Sequence, residues 1–571
     1  MLRSSSTICC AIVAVCIATL GLSAICRSEE PNGANSSGEP VVITGNSAPV
    51  EGTTTLQEAE AQAKAEGVEL LPLSLSEAIT LSLRNNLDIR VAGYTPKISA
   101  TDIDRQLSQF DPTASASLTY SSQKPPAVQT ISKQKIGPAT QVTKAPFQQD
   151  TSITAANGGL SVKSLSGGTI GLTTSDAHNM VTTRTTFNLP VVQKQNYYAG
   201  TLGLSVVQPL LRNAGVAFNT SGILIAKNNA RVSALTFENN VMDLVLGVDQ
   251  AYWNLVFTIE DLKSKEKSLQ AAQDFLKNNE IKYAAGALEK VEVSRARAAV
   301  AAREQGIVVS KAAVKDAEDR LRTLLDSPRY EILSSSKLFP TDKPSIYAVE
   351  IDQDASVHEA LALRPDLREL VITAESAGIM IARAKNQLLP EVDLAATYTL
   401  NGVGDSWAGG YNDIFETEHR GLAAGITFSV PLGNRAARAD YASASYQKLQ
   451  TLAQLASSQR NVAYAVKKAI RDIRTSLQSI DASRVAVQAA KEQLDAEVQK
   501  YAQGQSIALD VLNAQNDLQQ AESTYIASVA SFNIAMASYY RQTGTVLRKF
   551  GITVAAPAEI TCEAGPEKLF P

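Results

Sequence analysis

Large apolar residues recur every seven positions through two long stretches of the chain. In the first, Val248, Leu255, Leu262, Leu269, Leu276 and Tyr283 form a stripe that resumes as Val293, Val300, Ile307, Val314 and Leu321. In the second, Val466, Ile473, Ile480, Val487, Leu494 and Tyr501 repeat it 218 positions on, followed by Val511, Leu518, Tyr525, Phe532 and Tyr539. A seven-residue apolar period keeps one seam of an α-helix against a partner only if the helices supercoil. Each stretch therefore predicts a long helical hairpin, with helices over 221–283 and 289–325 in one half and over 435–501 and 507–547 in the other. The stripes break at Tyr283-Ala284-Ala285-Gly286 and Tyr501-Ala502-Gln503-Gly504. Glycine takes positive φ at little steric cost, so each Tyr-x-x-Gly reads as the reversal. A repeat this long is a duplicated architecture.

Ahead of each hairpin the period changes to two. After Asp111-Pro112, Ala114, Ala116, Leu118 and Tyr120 alternate with Ser115, Ser117 and Thr119; after Pro390, Val392, Leu394, Ala396, Tyr398 and Leu400 alternate with more polar residues. Returning runs end at Pro209 and Pro431. The alternation predicts strands over 111–122, 200–209, 391–401 and 421–430, each with one apolar face. Half-buried strands of a soluble sheet would alternate in the same way. These runs have the length of a tilted strand that crosses a bilayer, about 9–11 residues. A leading helix precedes each strand pair, from Leu75-Ser76-Glu77-Ala78 to about Gln109, and from His358-Glu359-Ala360-Leu361, restarting after Pro365, to about Leu389. The strands of the second half are joined through about 20 residues, Asn401 to Arg420, and those of the first through about 80, with an extra hairpin readable around Gly167-Gly168. The division that follows is a first repeat over 71–328, a linker over 329–354, a second repeat over 355–550 and a tail over 551–571. At 1.5 Å per residue each long helix spans roughly 95–100 Å.

Composition and the N-terminus place this architecture. Arg3 and the apolar run Ile8 to Ile25 read as a signal peptide over 1–28, and the Pro-, Gly-, Ser- and Glu-rich stretch 29–70 as a flexible leader. Cys26 is a candidate for lipidation, although Ile25 stands where a lipobox has a small residue. Cys9, Cys10 and Cys16 fall in the signal, which leaves Cys26 and Cys562 and no disulfide framework. The net charge of −4 over 571 residues argues against a nucleic-acid partner. His178, His358 and His419 are far apart and suggest no metal site. Four scattered Ser-x-x-Lys pairs lack the companion motifs of serine acylases, and Gly402-Val403-Gly404 lacks a phosphate-loop setting. No catalytic, cofactor-binding or metal residue is expected, and no enzyme.

Four strands cannot close a membrane barrel, since the smallest have eight. Strands in lipid must then be pooled between chains, because open edges leave costly unsatisfied groups. At this point the chain resembles the TolC-like outer-membrane efflux family. The resemblance rests on the duplication, on Leu-Ser-x-x-Ala-Ile near Leu75, on Phe110-Asp111-Pro112 and Leu389-Pro390, on Gln208-Pro209-Leu210-Leu211 and Val430-Pro431-Leu432, and on the two Tyr-x-x-Gly turns. It implies a mainly α chain with membrane β, forming a homotrimer in which a 12-stranded β-barrel continues into a periplasmic α-helical tunnel. It also implies a passive duct in the outer membrane, embedded in its lipid and joined through a periplasmic adaptor (membrane fusion) protein to an inner-membrane pump of the RND or ABC type. Tyr283, Gly286, Tyr501 and Gly504 would be the tips that meet the adaptor. Asp510 matches a tip carboxylate that lines the entrance, with Glu292 its counterpart in the first half. An ordinary helix N-terminal carboxylate would also explain Asp510. The alternatives are a periplasmic coiled-coil adaptor and a coiled-coil structural protein, which the paired strands do not favour. The cargo is not legible.

Overall fold

The computed structural model describes residues 70–554, apart from 137–138, 187–189, 331–335, 345, 347–350 and 417–418. The expected signal peptide, Cys26, the leader up to residue 69 and the tail from residue 555 lie outside the described residues. The first half runs β1 (Leu70–Leu73), α1 (Leu75–Asn85), α2 (Leu87–Leu107), β2 (Thr113–Gln123), β3 (Val128–Ile136), β4 (Ala139–Lys163), β5 (Thr169–Thr186), β6 (Pro190–Pro209), a short α3 (Val216–Asn219), α4 (Ser221–Ala284) and α5 (Lys290–Leu325). The second runs β7 (Lys337–Pro340), α6 (Gln353–Leu363), α7 (Pro365–Gln387), β8 (Glu391–Gly404), α8 (Trp407–Glu416), β9 (Arg420–Ser429), α9 (Arg435–Ala502), α10 (Ala508–Thr543) and a short α11 (Val546–Lys549).

The heptads fix the hairpins. Val248, Leu255, Leu321, Val466, Ile473 and Phe532 are all buried. Burial is densest midway along the hairpins, where Val245, Tyr252, Leu325, Leu73, Ile79 and Val546 close one core. Towards the Tyr-x-x-Gly turns the stripe thins, and small or polar side chains such as Ala272 and Asn279 take the buried positions. The leading helix expected to run unbroken to about Gln109 is two helices. Asn86 ends α1, and its side chain accepts the Ile89 N–H to start α2. The last long helix stops at Thr543 and not near 547, because Gly544 takes φ 75 and caps it. The linker expected over 329–354 contains β7, which pairs in parallel with β1 and ties the two halves together.

The sheet differs most from expectation. Its strand order is β2-β4-β5-β6-β8-β9, with β3 paired to the outer part of β4. One chain thus contributes six strands to the continuous path, not four. The readable hairpin at Gly167-Gly168 is the inner end of β4 and β5, and the strand expected over 200–209 begins at Pro190. The outer parts of these strands carry polar residues on both faces, as in Gln148, Gln149, Asp150 and Thr151 or Gln193, Lys194, Gln195 and Asn196. With no apolar face there is no period of two to detect. Nearer the helices the register aligns one row across all six strands: Ala114, Leu160, Leu172, Leu204, Tyr398 and Leu422.

Candidate functional site

The end of the hairpins away from the sheet is built from two matching turns. Gly286 and Gly504 take φ 74 and 71. The residue after each glycine donates its N–H to a carbonyl five positions back, Ala287 to Lys282 and Gln505 to Lys500, both at 2.9 Å. These bonds satisfy carbonyls that a helix end leaves open. The side chains around the turns are not equivalent. Tyr501 docks on the other hairpin: its hydroxyl donates to Asn279 Oδ1 at 2.8 Å, its ring lies 5.3 Å from that of Phe275, and the Lys282 ammonium stands 4.6 Å from its centroid. Tyr283, its sequence counterpart, is 45% exposed.

The two carboxylates of the sequence reading face different neighbours. Glu292, in the first turn of α5, accepts from Arg295 at 2.8 Å through one oxygen, while the other is buried without a hydrogen bond. Burial, and then the Glu292 charge, push the Tyr501 hydroxyl pKa above its usual value. Asp510, in the first turn of α10, is exposed. The Ser506 hydroxyl lies 3.1 Å from its carboxylate and 3.0 Å from that of Glu497. Lys500 reaches Glu497 at 2.7 Å, and with Ser506 holds that carboxyl below the ordinary range. Glu497 was not among the expected residues; the i,i+3 spacing to Lys500 is its only signal.

Between tip and core the hairpins meet through polar side chains. Ser264 donates to Glu522 and Ser523 to Asp261, both at 2.6 Å. Arg303 bonds Ser268 at 3.0 Å, Gln515 at 3.3 Å and Asn516 at 2.9 Å. These contacts follow no period and sequence reading misses them. Burial pushes the Arg303 guanidinium pKa down.

At the other end the sheet has two unlike faces. One carries the Leu160–Leu172–Leu204–Tyr398–Leu422 row flanked by Ile170, Val206, Ile426 and Phe428, much of it open to the surroundings (Leu422 is 80% exposed). The other carries Ser115, Ser117, Thr173, Ser205, Thr399 and Thr427. An apolar band behind a small, polar face is the pattern of a sheet that stands in a membrane around water. Among the described residues no helix is long and apolar enough to cross a membrane, and no group of three or more His, Cys, Asp or Glu residues is placed to hold a metal. His178 stacks on Tyr198 at 4.3 Å.

Known proteins share this architecture. The chain is 23% identical over 333 residues to the outer membrane protein TolC of Escherichia coli K12, a match that covers 56% of this chain and 66% of that relative, just under two thirds of its length. Two solved channels share the fold: OprN, with a TM-score of 0.59, 16% identity and coverage of 82% of this chain and 90% of that one, and CmeC of Campylobacter jejuni, with 0.59, 14%, 90% and 94%. A family described as outer membrane efflux protein matches residues 169–327 and 356–545, across both halves of the duplication. The chain belongs to the outer membrane efflux protein family.

Proposed function

We propose that this chain forms the outer-membrane duct of a tripartite efflux or type I secretion system. It is a passive conduit without chemistry of its own. The observation that carries the reading is the union, in one chain, of an apolar-faced sheet with open edges and hairpin helices of 64 and 68 residues, roughly 100 Å long. A sheet in lipid must pair its edges, so three copies pool their strands into one barrel. Their helices then stand side by side as a tunnel that reaches across the periplasm. The tips at Tyr283–Gly286 and Tyr501–Gly504 dock to a periplasmic adaptor, and an inner-membrane pump of the RND or ABC type supplies the cargo. Three copies of Asp510 would ring the entrance, with Glu292 behind them, and opening it requires Tyr501 to leave Asn279.

Membrane fractionation with unheated SDS gels tests the duct. A trimer-sized species in the outer-membrane fraction is expected, whereas a soluble monomer would overturn the reading and favour the coiled-coil alternatives. Asp510→Ala tests the entrance in planar bilayers. Single-channel conductance should rise and block by multivalent cations should weaken, as expected when a ring of like charges is removed. Unchanged conductance and block would leave Asp510 as a helix-dipole partner only.

A further inference from the structure

The strands added between β2 and β6 belong to the wall of the sheet. β4 and β5 pair without a break from Phe147 opposite Thr185 to Lys163 opposite Thr169. Their turn is fastened where the other strands meet the helices. The Ser166 carbonyl accepts the Gly215 N–H at 3.0 Å, and the Ser166 hydroxyl donates to Gln208 at 3.0 Å. The hairpin also continues both faces, with Leu160 and Leu172 in the apolar row and Thr173 and Ser175 on the polar side.

Near the helices the outer edges of the sheet are β2 and β9; further out β3 continues the β2 side. β2 and β9 have 11 and 10 residues, are exposed along nearly their whole length, and run in opposite directions, β2 away from the helices and β9 back to them. Sheet edges that must stay unpaired are usually blunted by charge, proline or a bulge. β2 has no charged residue and no proline, and the one charge in β9 is Arg420 at its outer end. β2 presents Ala114, Ala116, Leu118 and Tyr120 on the face where β9 presents Leu422, Ala424, Ile426 and Phe428. The occupant that fits each edge is the opposite edge of a second copy, which continues both the antiparallel pairing and the apolar band.

We propose that three copies join β9 to β2 around a ring and close a barrel of eighteen strands, half as many again as the twelve implied by the family resemblance. This rests on the trimeric duct proposed above. Barrel diameter grows roughly linearly with strand number, so the bore is about 1.5 times that of twelve strands at equal tilt, and barrels of this size hold an aqueous channel. On the inward face the charged residues of the described strands lie at the helical end, at Lys163, Glu391 and Asp393. Beyond them the wall is uncharged, made of hydroxyl, amide, glycine and apolar side chains, with Phe147, Ile153 and Tyr197 the bulkiest of those on β4 and β6. Such a mouth suits bulky hydrated cargo that is not sorted by charge.

End-on averages of the detergent-solubilised full-length assembly by electron cryo-microscopy test the count. A threefold ring is expected, with a barrel about 1.5 times the diameter of a twelve-stranded one. A threefold ring of twelve-strand diameter overturns the eighteen-strand barrel while leaving the trimer intact. A ring of another copy number overturns the trimeric duct, and the number eighteen with it. Labelling of intact cells with a membrane-impermeant maleimide, measured against the unsubstituted chain, tests where the hairpin stands. Thr173→Cys and Ser175→Cys should label while Leu160→Cys and Leu172→Cys stay shielded by lipid. Labelling at all four positions overturns the placement of β4 and β5 in the wall.

Discussion

At the residue scale, a single buried acid sets a pH dependence. Asp249 lies beside the heptad position Val248, with one carboxylate oxygen buried and without a hydrogen bond. Burial pushes its pKa up to about 6 from 3.8, against the opposing pull of Lys549 and a hydrogen bond from Trp253. A raised carboxyl pKa means that the folded state holds its proton longer than the unfolded chain. Stability is then lost as pH climbs from about 4 to about 6 and stays low above that, by up to about 3 kcal/mol. Asp249→Asn should raise the melting temperature of the helical circular-dichroism signal at pH 7.5 and change it little near pH 4; equal shifts at both pH values would contradict the assignment. Tyr501→Phe removes the bond to Asn279 at a cost of about 1 kcal/mol; if the chain forms the duct proposed above, this should raise the fraction of time that it stays open in planar bilayers. Tyr283 and Tyr501 read alike in sequence because their turns are alike. Their surroundings differ because Tyr501 meets a hairpin of its own chain, and nothing in a local pattern records that neighbour.

At the scale of elements, legibility follows whether a face is apolar. The long helices can be read to within a residue or two, save the C-terminal end of α10, because core packing enforces the heptad through their middle; that end falls four residues early, where Gly544 caps it. The inner rows of β2, β8 and β9 can be read because Leu118, Leu394, Leu400, Leu422 and Ile426 stand on one face. The outer parts of β4, β5 and β6 cannot, since polar residues stand on both. α8 is hidden for a different reason: the run Trp407-Ala408-Gly409-Gly410 has the composition of a loop. Its glycines instead permit close approach to the sheet. A Cβ on Gly402 would lie 2.4 Å from the Gly410 carbonyl oxygen. The helix buries Gly410 and Ile414 against β6 and β8 and leaves Trp407, Tyr411 and Phe415 exposed, side-chain types that gather where a membrane barrel meets lipid headgroups. Gly402→Val should lift α8 from the sheet. In a Trp253→Phe background, which leaves Trp407 as the one tryptophan, the emission should shift, and an unchanged spectrum would argue against the tight contact.

At the scale of the whole molecule, the means of cohesion change along its length. Midway along the hairpins the core is apolar and closed, with Tyr252 bonded to Leu73 and Asp342 across the join between halves. Towards the tips the hairpins meet through Ser264, Arg303, Gln515 and Glu522, bonds that water can replace. Local opening costs least where few apolar contacts are buried. Amide hydrogen exchange should therefore be slow along α4 and α9 near residues 245–255 and 466–480 and quicken towards both turns; uniform protection would refute this gradient. The added hairpin of the sheet carries a consequence of parity. Strands inserted as a pair leave the sense of every other strand unchanged: β6 still arrives where α4 must begin, and the outermost strands remain opposed. One extra strand would have reversed that order and broken the proposed seam. The mouth of the proposed duct would thus widen during evolution only in quanta of one hairpin per copy, while the subunit joint and the helical wall beneath it would keep the same design.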